Sequence, residues 1–132
     1  MIIADLTIWS AALRGHSRGF EALFATHVQR GEVTAPGLVF AQLIGECEEH
    51  TDAARLRTWA QQVPPLDEPR TAWIAAGDLV SHLTEHGAFV SLVDAYVICL
   101  ALREDAQVWS LNPRFEDVGR VVPLKRYLPP GT

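Results

Sequence analysis

The chain opens with a short apolar run, Met1-Ile2-Ile3-Ala4, that ends on Asp5, which predicts a buried strand delivering a carboxylate at its end. After a turn, Phe20, Leu23, Phe24 and Val28 recur at helical spacing, and Gly31 closes that helix. Val33-Thr34-Ala35 predicts a second brief strand, and Pro36 suits the first turn of a helix carrying Leu38, Val39, Leu43 and Ile44. A further helix over 52–63 turns Leu56, Trp59 and Ala60 inward and stops at Pro64-Pro65. From Arg70 onward, Trp73, Ala76, Gly77, Val80 and Leu83 form one stripe that ends at Gly87. The segment 91–104 is apolar nearly all round, as in a helix buried between other elements. Residues 107–111 read as a strand, Asn112-Pro113 as a turn, and 121–124 as a last strand.

Strands alternating with helices imply an α/β fold with a parallel sheet covered on both faces. The sequence holds no internal repeat or low-complexity stretch, so one domain over 1–128 is expected, followed by a proline-rich tail over 129–132.

Composition narrows the class. At 132 residues and 48 % hydrophobic, with four Trp, the chain can bury a core of its own. The start lacks a signal-peptide pattern, and the apolar stretch 92–102 is too short to span a bilayer and carries Asp94, so a cytoplasmic protein with no membrane partner is expected. Cys47 and Cys99 lie among apolar residues and suit reduced thiols. A net charge of −5 argues against coating nucleic acid by bulk attraction, while leaving room for an acidic site bordered by local cations such as Arg14, Arg18, Arg70, Arg114, Arg120, Lys125 and Arg126.

Two aspartates carry the chemistry. Asp5 ends a strand of a parallel sheet, where ligand sites gather, although it also suits a turn or helix cap. Asp94 lies in the first turn of an apolar helix, where a carboxylate is costly unless compensated; Ser91-Leu92-Val93-Asp94 also has capping-box spacing. A divalent cation shared by the two would compensate both, because hard cations take oxygen ligands.

Ile2-Ile3-Ala4-Asp5-Leu6-Thr7 resembles the opening of the PIN-domain family, a strand ending in Asp with Ser or Thr two residues on. The run 87–102, with Ser91-Leu92-Val93-Asp94-Ala95 at its centre, is similar to that family's glycine, Ser-x-x-Asp-Ala and apolar helix. The run 108–115 is similar to its strand and Thr-x-Asp or Thr-x-Asn loop ending in Phe. The three blocks come in family order and span most of the chain.

The resemblance implies a three-layer α-β-α PIN-like fold with a short, mostly parallel central sheet. It further implies a VapC-like toxin: a divalent-metal-dependent endoribonuclease hydrolysing RNA phosphodiesters, paired with an antitoxin protein and with itself as a homodimer. On that basis Asp5 and Asp94 are the expected ligands of Mg²⁺ or Mn²⁺, with Asn112 and Gln42 as neutral ligands or water positioners. Thr7, Ser110, Glu46 and Arg114 are the expected supporting residues.

The acidic pattern is incomplete. Gln42 stands where the family usually has Glu, with Glu46 one helical turn further on; Asn112 and Arg114 occupy positions where acids are common. Amide oxygens can ligate a hard metal but add no negative charge, so two aspartates suit one ion better than two. The alternatives are a catalytically silent PIN fold that binds RNA or protein, and a structural homodimer with no nucleic-acid role. His82-Leu83-Thr84-Glu85-His86 also fits the letters of a zinc-protease motif, but helical stepping places both histidines opposite the core stripe.

Overall fold

The structure, a computed structural model, describes residues 1–130; Gly131 and Thr132 of the expected tail lie outside the described residues. Four strands form the sheet: β1 (Ile2–Ala4), β2 (Val33–Thr34), β3 (Gln107–Trp109) and β4 (Lys125–Arg126), all parallel, in the order β2-β1-β3-β4. Seven helices surround it among the described residues: α1 (Leu6–Arg14), α2 (Arg18–Gln29), α3 (Gly37–Glu46), α4 (His50–Gln62), α5 (Arg70–Glu85), α6 (Leu92–Glu104) and α7 (Arg114–Gly119). The predicted α/β class with a parallel central sheet is the class observed.

The strands are brief, so the fold leans on packing rather than on a long backbone ladder. Ile3, Ala4 and Val33 are fully buried, and α6 buries Ala95, Tyr96, Val97, Ile98, Leu100 and Ala101, in keeping with its all-round apolar pattern. The helices preceding α5 meet in an aromatic cluster around Trp9, whose ring lies 5.1 Å from Phe24, 4.8 Å from Phe40 and 5.6 Å from Trp59. Trp9 is fully buried, and its indole N–H donates to the Ala4 carbonyl at 3.0 Å, so its one polar atom is satisfied.

Several elements depart from the pattern. The segment after Asp5 is not a turn but helix α1, with Asp5 as its N-cap. The buried stripe of α5 is Ala72, Ala76, Leu79 and Leu83, rotated from the expected one; Gly77 is exposed, and Trp73 is 41 % exposed, stacking on Tyr96 at 4.1 Å. Ala60 on α4 faces solvent, and Ala53 takes the inward place with Leu56. Helix α7 was not signalled, and the last strand is Lys125–Arg126 rather than 121–124. Cys47 and Cys99 are free and half-buried.

Candidate active site

The chain runs from β1 outward to β2, then crosses back over β1 to place β3 on its other side. The order therefore reverses between β1 and β3, and in open parallel sheets ligands bind outside the carboxyl ends of the strands at such a reversal. Asp5 follows β1 and Ser110 follows β3, and the two strands are held in register by Ala4 pairing with Trp109. The Asp5 N–H donates to the Trp109 carbonyl at 3.0 Å.

Asp5 is only 1 % exposed, and its carboxylate is fully engaged. One oxygen, Oδ1, accepts from Thr7 N at 3.0 Å, Thr7 Oγ1 at 2.5 Å and Ile8 N at 3.3 Å, while Oδ2 accepts from the Ser110 hydroxyl. The cap reading and the site reading of Asp5 therefore coexist: one oxygen ends a helix and the other faces β3. Burial pushes its carboxyl above the usual range, against the opposing pull of the Ser110, Thr7 and Ile8 hydrogen bonds.

Asp94 comes in from the first turn of α6. Ser91 caps that helix by accepting from Asp94 N at 3.1 Å. Burial raises the Asp94 carboxyl first, the negative charge of Asp5 raises it further, and Ser91 and the Arg114 guanidinium offset part of this. Residues 89 positions apart in sequence are thus brought within electrostatic reach of each other at the sheet reversal.

A hydrogen-bonded brace supports the pair. Thr7 Oγ1 also accepts from Leu111 N at 2.8 Å, Ser110 Oγ accepts from Asn112 N at 2.9 Å, and the Asn112 side chain accepts from Arg114 N at 3.0 Å. Arg114 reaches back to the Phe89 carbonyl at 3.4 Å. The structure so joins Asp5, Thr7, Ser110, Asn112 and Arg114 in one network, with Asp94 within electrostatic reach. Among the described residues no hydrogen bond joins Gln42 and Glu46, on α3, to this network; the Gln42 amide donates to Glu46 Oε1 at 3.0 Å.

The double role of Thr7 and the carbonyl of Phe89 escaped the sequence reading. The Asp-x-Thr spacing is a signal for the first, since a hydroxyl two residues on can reach a capping carboxylate. A main-chain acceptor such as Phe89 leaves no trace in residue type. His82, on α5, and His86, just past its end, are both exposed with rings 4.5 Å apart, and neither belongs to the buried face of Ala72, Ala76, Leu79 and Leu83.

The donor set at the pair consists of two carboxylates, an amide oxygen and hydroxyls. All are oxygen, two bear charge, and both carboxylates are held in a setting that penalises bare negative charge. That chemistry fits a hard divalent cation such as Mg²⁺ or Mn²⁺, which would relieve both the burial and the mutual repulsion.

Comparison with known proteins agrees with this architecture. VapBC2 from Rickettsia felis, determined bound to a promoter DNA fragment, superposes with a TM-score of 0.76 at 16 % identity over 96 % of this chain and 98 % of that one. VapBC-1 from nontypeable Haemophilus influenzae gives 0.70 at 17 % identity over 96 % and 97 %, and FitAcB from Neisseria gonorrhoeae gives 0.69 at 17 % identity over the whole of both chains. No curated protein matches the sequence. The model of the PIN domain family matches residues 2–121, from the first strand to just past the last helix, and on that match this chain belongs to the PIN domain family.

Proposed function

We propose that the protein is a VapC-like toxin: a divalent-metal-dependent endoribonuclease that hydrolyses RNA phosphodiesters and is held in check by an antitoxin protein. The observation that carries this reading is the placement of Asp94 within electrostatic reach of Asp5 at the sheet reversal: burial raises both carboxyls, and the Asp5 charge raises Asp94 further. Bound there, one Mg²⁺ or Mn²⁺ would supply Lewis acidity and activate water for attack on phosphorus. Asp5 and Asp94 would hold the ion. Asn112 and Gln42 would act as neutral ligands or water positioners. Thr7 and Ser110 hold Asp5 in one orientation, and Arg114 places a cation beside Asp94 that can meet substrate phosphate.

The structural neighbours VapBC2, VapBC-1 and FitAcB support an antitoxin as partner on this reading, which also brings a homodimer and a cytoplasmic place of action. No helix among the described residues is long and apolar enough to cross a membrane.

A second reading has one observation of its own. Gln42 stands where a third acid is expected and is engaged with Glu46, so a fold that binds RNA or protein without cutting also fits. Cleavage of a mixed cellular RNA pool by the purified protein with Mg²⁺ or Mn²⁺ separates the two. The ribonuclease reading expects cleavage that disappears with Asp94→Asn and with chelator. RNA left intact by folded, partner-free protein would instead favour the silent binding module.

A further inference from the structure

Beside the carboxylate pair lies a cavity of about 420 Å³ whose wall includes Ser110, the residue that bonds Asp5. Its volume falls within the range of about 300–1,000 Å³ typical of small-ligand sites. It opens between the start of α2, the end of β3 and the segment after β4, and its lining is mainly apolar and aromatic. Trp109 is buried, with Phe20 5.5 Å away and Tyr127 stacked on it at 5.0 Å and 24°, so the half-buried Phe20 and Tyr127 are the rings the cavity offers. Leu111 and His16 are exposed at its border.

We infer that this cavity is a subsite for one nucleobase of single-stranded RNA, a deepening that rests on the ribonuclease reading above. Unpaired bases are recognised by stacking on aromatic side chains, and every base has a face that can do so. Charge favours the same occupant. No residue lining this cavity is acidic, whereas three other cavities carry Glu21, Glu46 and Glu68 respectively and would repel a phosphate backbone. At this rim the first turn of the 12-residue helix α2 carries both Arg18 and Glu21, whose charges offset, and its N-terminal N–H groups add a partial positive potential. Continuity decides the rest: Ser110 belongs both to the cavity wall and to the hydrogen bond on Asp5, so a nucleotide whose base enters the cavity keeps its backbone on the side of the carboxylates.

Gly19 provides the test, because it lines the cavity and a Cβ added there meets nothing within 4 Å. Gly19→Leu therefore adds bulk at the cavity rim without a clash in α2, and thermal melting should show the fold intact; Phe20→Leu serves as a second variant that trims the aromatic wall. The probes are fluorescein-labelled ten-nucleotide oligouridylate and oligoadenylate and a strand of the same length with abasic riboses, bound in EDTA so that nothing is cut. The wild-type protein should bind the base-bearing strands about tenfold tighter than the abasic one, and Gly19→Leu should erase that difference. Equal binding of all strands, or base-dependent binding that survives Gly19→Leu, overturns the inference. RNA cleavage by wild type combined with equal binding sinks this inference alone. Base-dependent binding lost in Gly19→Leu without any cleavage sinks the ribonuclease reading alone. If the variant leaves the strands unaffected but weakens the hold on a co-expressed antitoxin, the cavity is a peptide site and the inference is wrong.

Discussion

Ser110, at the end of β3, donates its hydroxyl to Oδ2 of Asp5, at the end of β1, and so ties the two strands together where the candidate site opens. The bond reaches a carboxylate that is almost entirely out of water. Ser110→Ala leaves one oxygen of that carboxylate without its partner, and hydrogen bonds to charged groups contribute about 1.5–3 kcal/mol. Urea denaturation should show a loss of that size, and nuclease activity should fall with it. An unchanged midpoint would mean that Asp5 finds another donor.

The raised carboxyl of Asp94 gives a stability change with a definite sign. The folded state holds that proton more tightly than the unfolded chain, so from the ordinary value of 3.8 upward the folded state binds more protons and stability falls as pH rises through the folded pKa. In chelator at pH 7.5, Asp94→Asn should therefore melt higher than wild type, and the gap should close as pH approaches 3.8. Adding Mg²⁺ should raise the wild-type melting temperature and leave the variant's where it was.

Arg114 lowers the Asp94 carboxyl by its charge, at a position where the family resemblance leads one to expect an acid. Reversing that charge with Arg114→Glu should strengthen Mn²⁺ binding, measured by calorimetry, by at least about thirtyfold, since ~2 kcal/mol for each unit of charge at several ångströms near a protein surface is about thirtyfold and the reversal changes two units. Weaker Mn²⁺ binding would show that Arg114 is needed to hold the loop through the Phe89 carbonyl rather than acting as a competing cation.

Tyr96 is fully buried on α6, and its hydroxyl donates to Glu68 Oε1 at 2.7 Å; the other oxygen of Glu68 accepts from Gly37 N at the start of α3. Burial and the Glu68 charge push the phenol well above its ordinary value. Since the folded state keeps this proton, stability should fall as pH rises past 10, and Tyr96→Phe should flatten that slope while costing about 1–2 kcal/mol at neutral pH. Chemical denaturation at pH 7 and 10.5 checks both.

The core of the site was legible because its residues carry their signals locally. Asp5 closes an apolar run and Asp94 interrupts one, so each stands out against its neighbours. Asp5 also shows how two readings can hold at once, since its cap bonds occupy one oxygen and the bond across to Ser110 the other. Helix α1 was missed because it follows the strand with no intervening loop, and α7 because six residues give too few turns for periodicity to register. The face of α5 was misread for another reason: Trp73 marks an apolar stripe by type, yet it lies at the surface against the ring of Tyr96, and small Ala72 and Ala76 fill the interior. The last strand was placed on Val121-Val122 by hydrophobicity, while the sheet pairs Lys125 with Gln107, and only tertiary contact could have selected that register.

Those two-residue edges limit how the molecule can be approached. On one side β2 offers only Val33 and Thr34, with the Thr34 hydroxyl already donating to the Pro64 carbonyl at 2.5 Å. On the other, β4 is Lys125 and Arg126, with Pro123 before it, Pro129 after it, and Lys125 Nζ 2.6 Å from Asp105. Charged, proline-flanked and very short edges are what natural sheets use to refuse another strand. The chain is thereby guarded against pairing edge to edge with its own copies into fibrils, and a protein bound to it would grip side chains on the helices rather than extend the sheet.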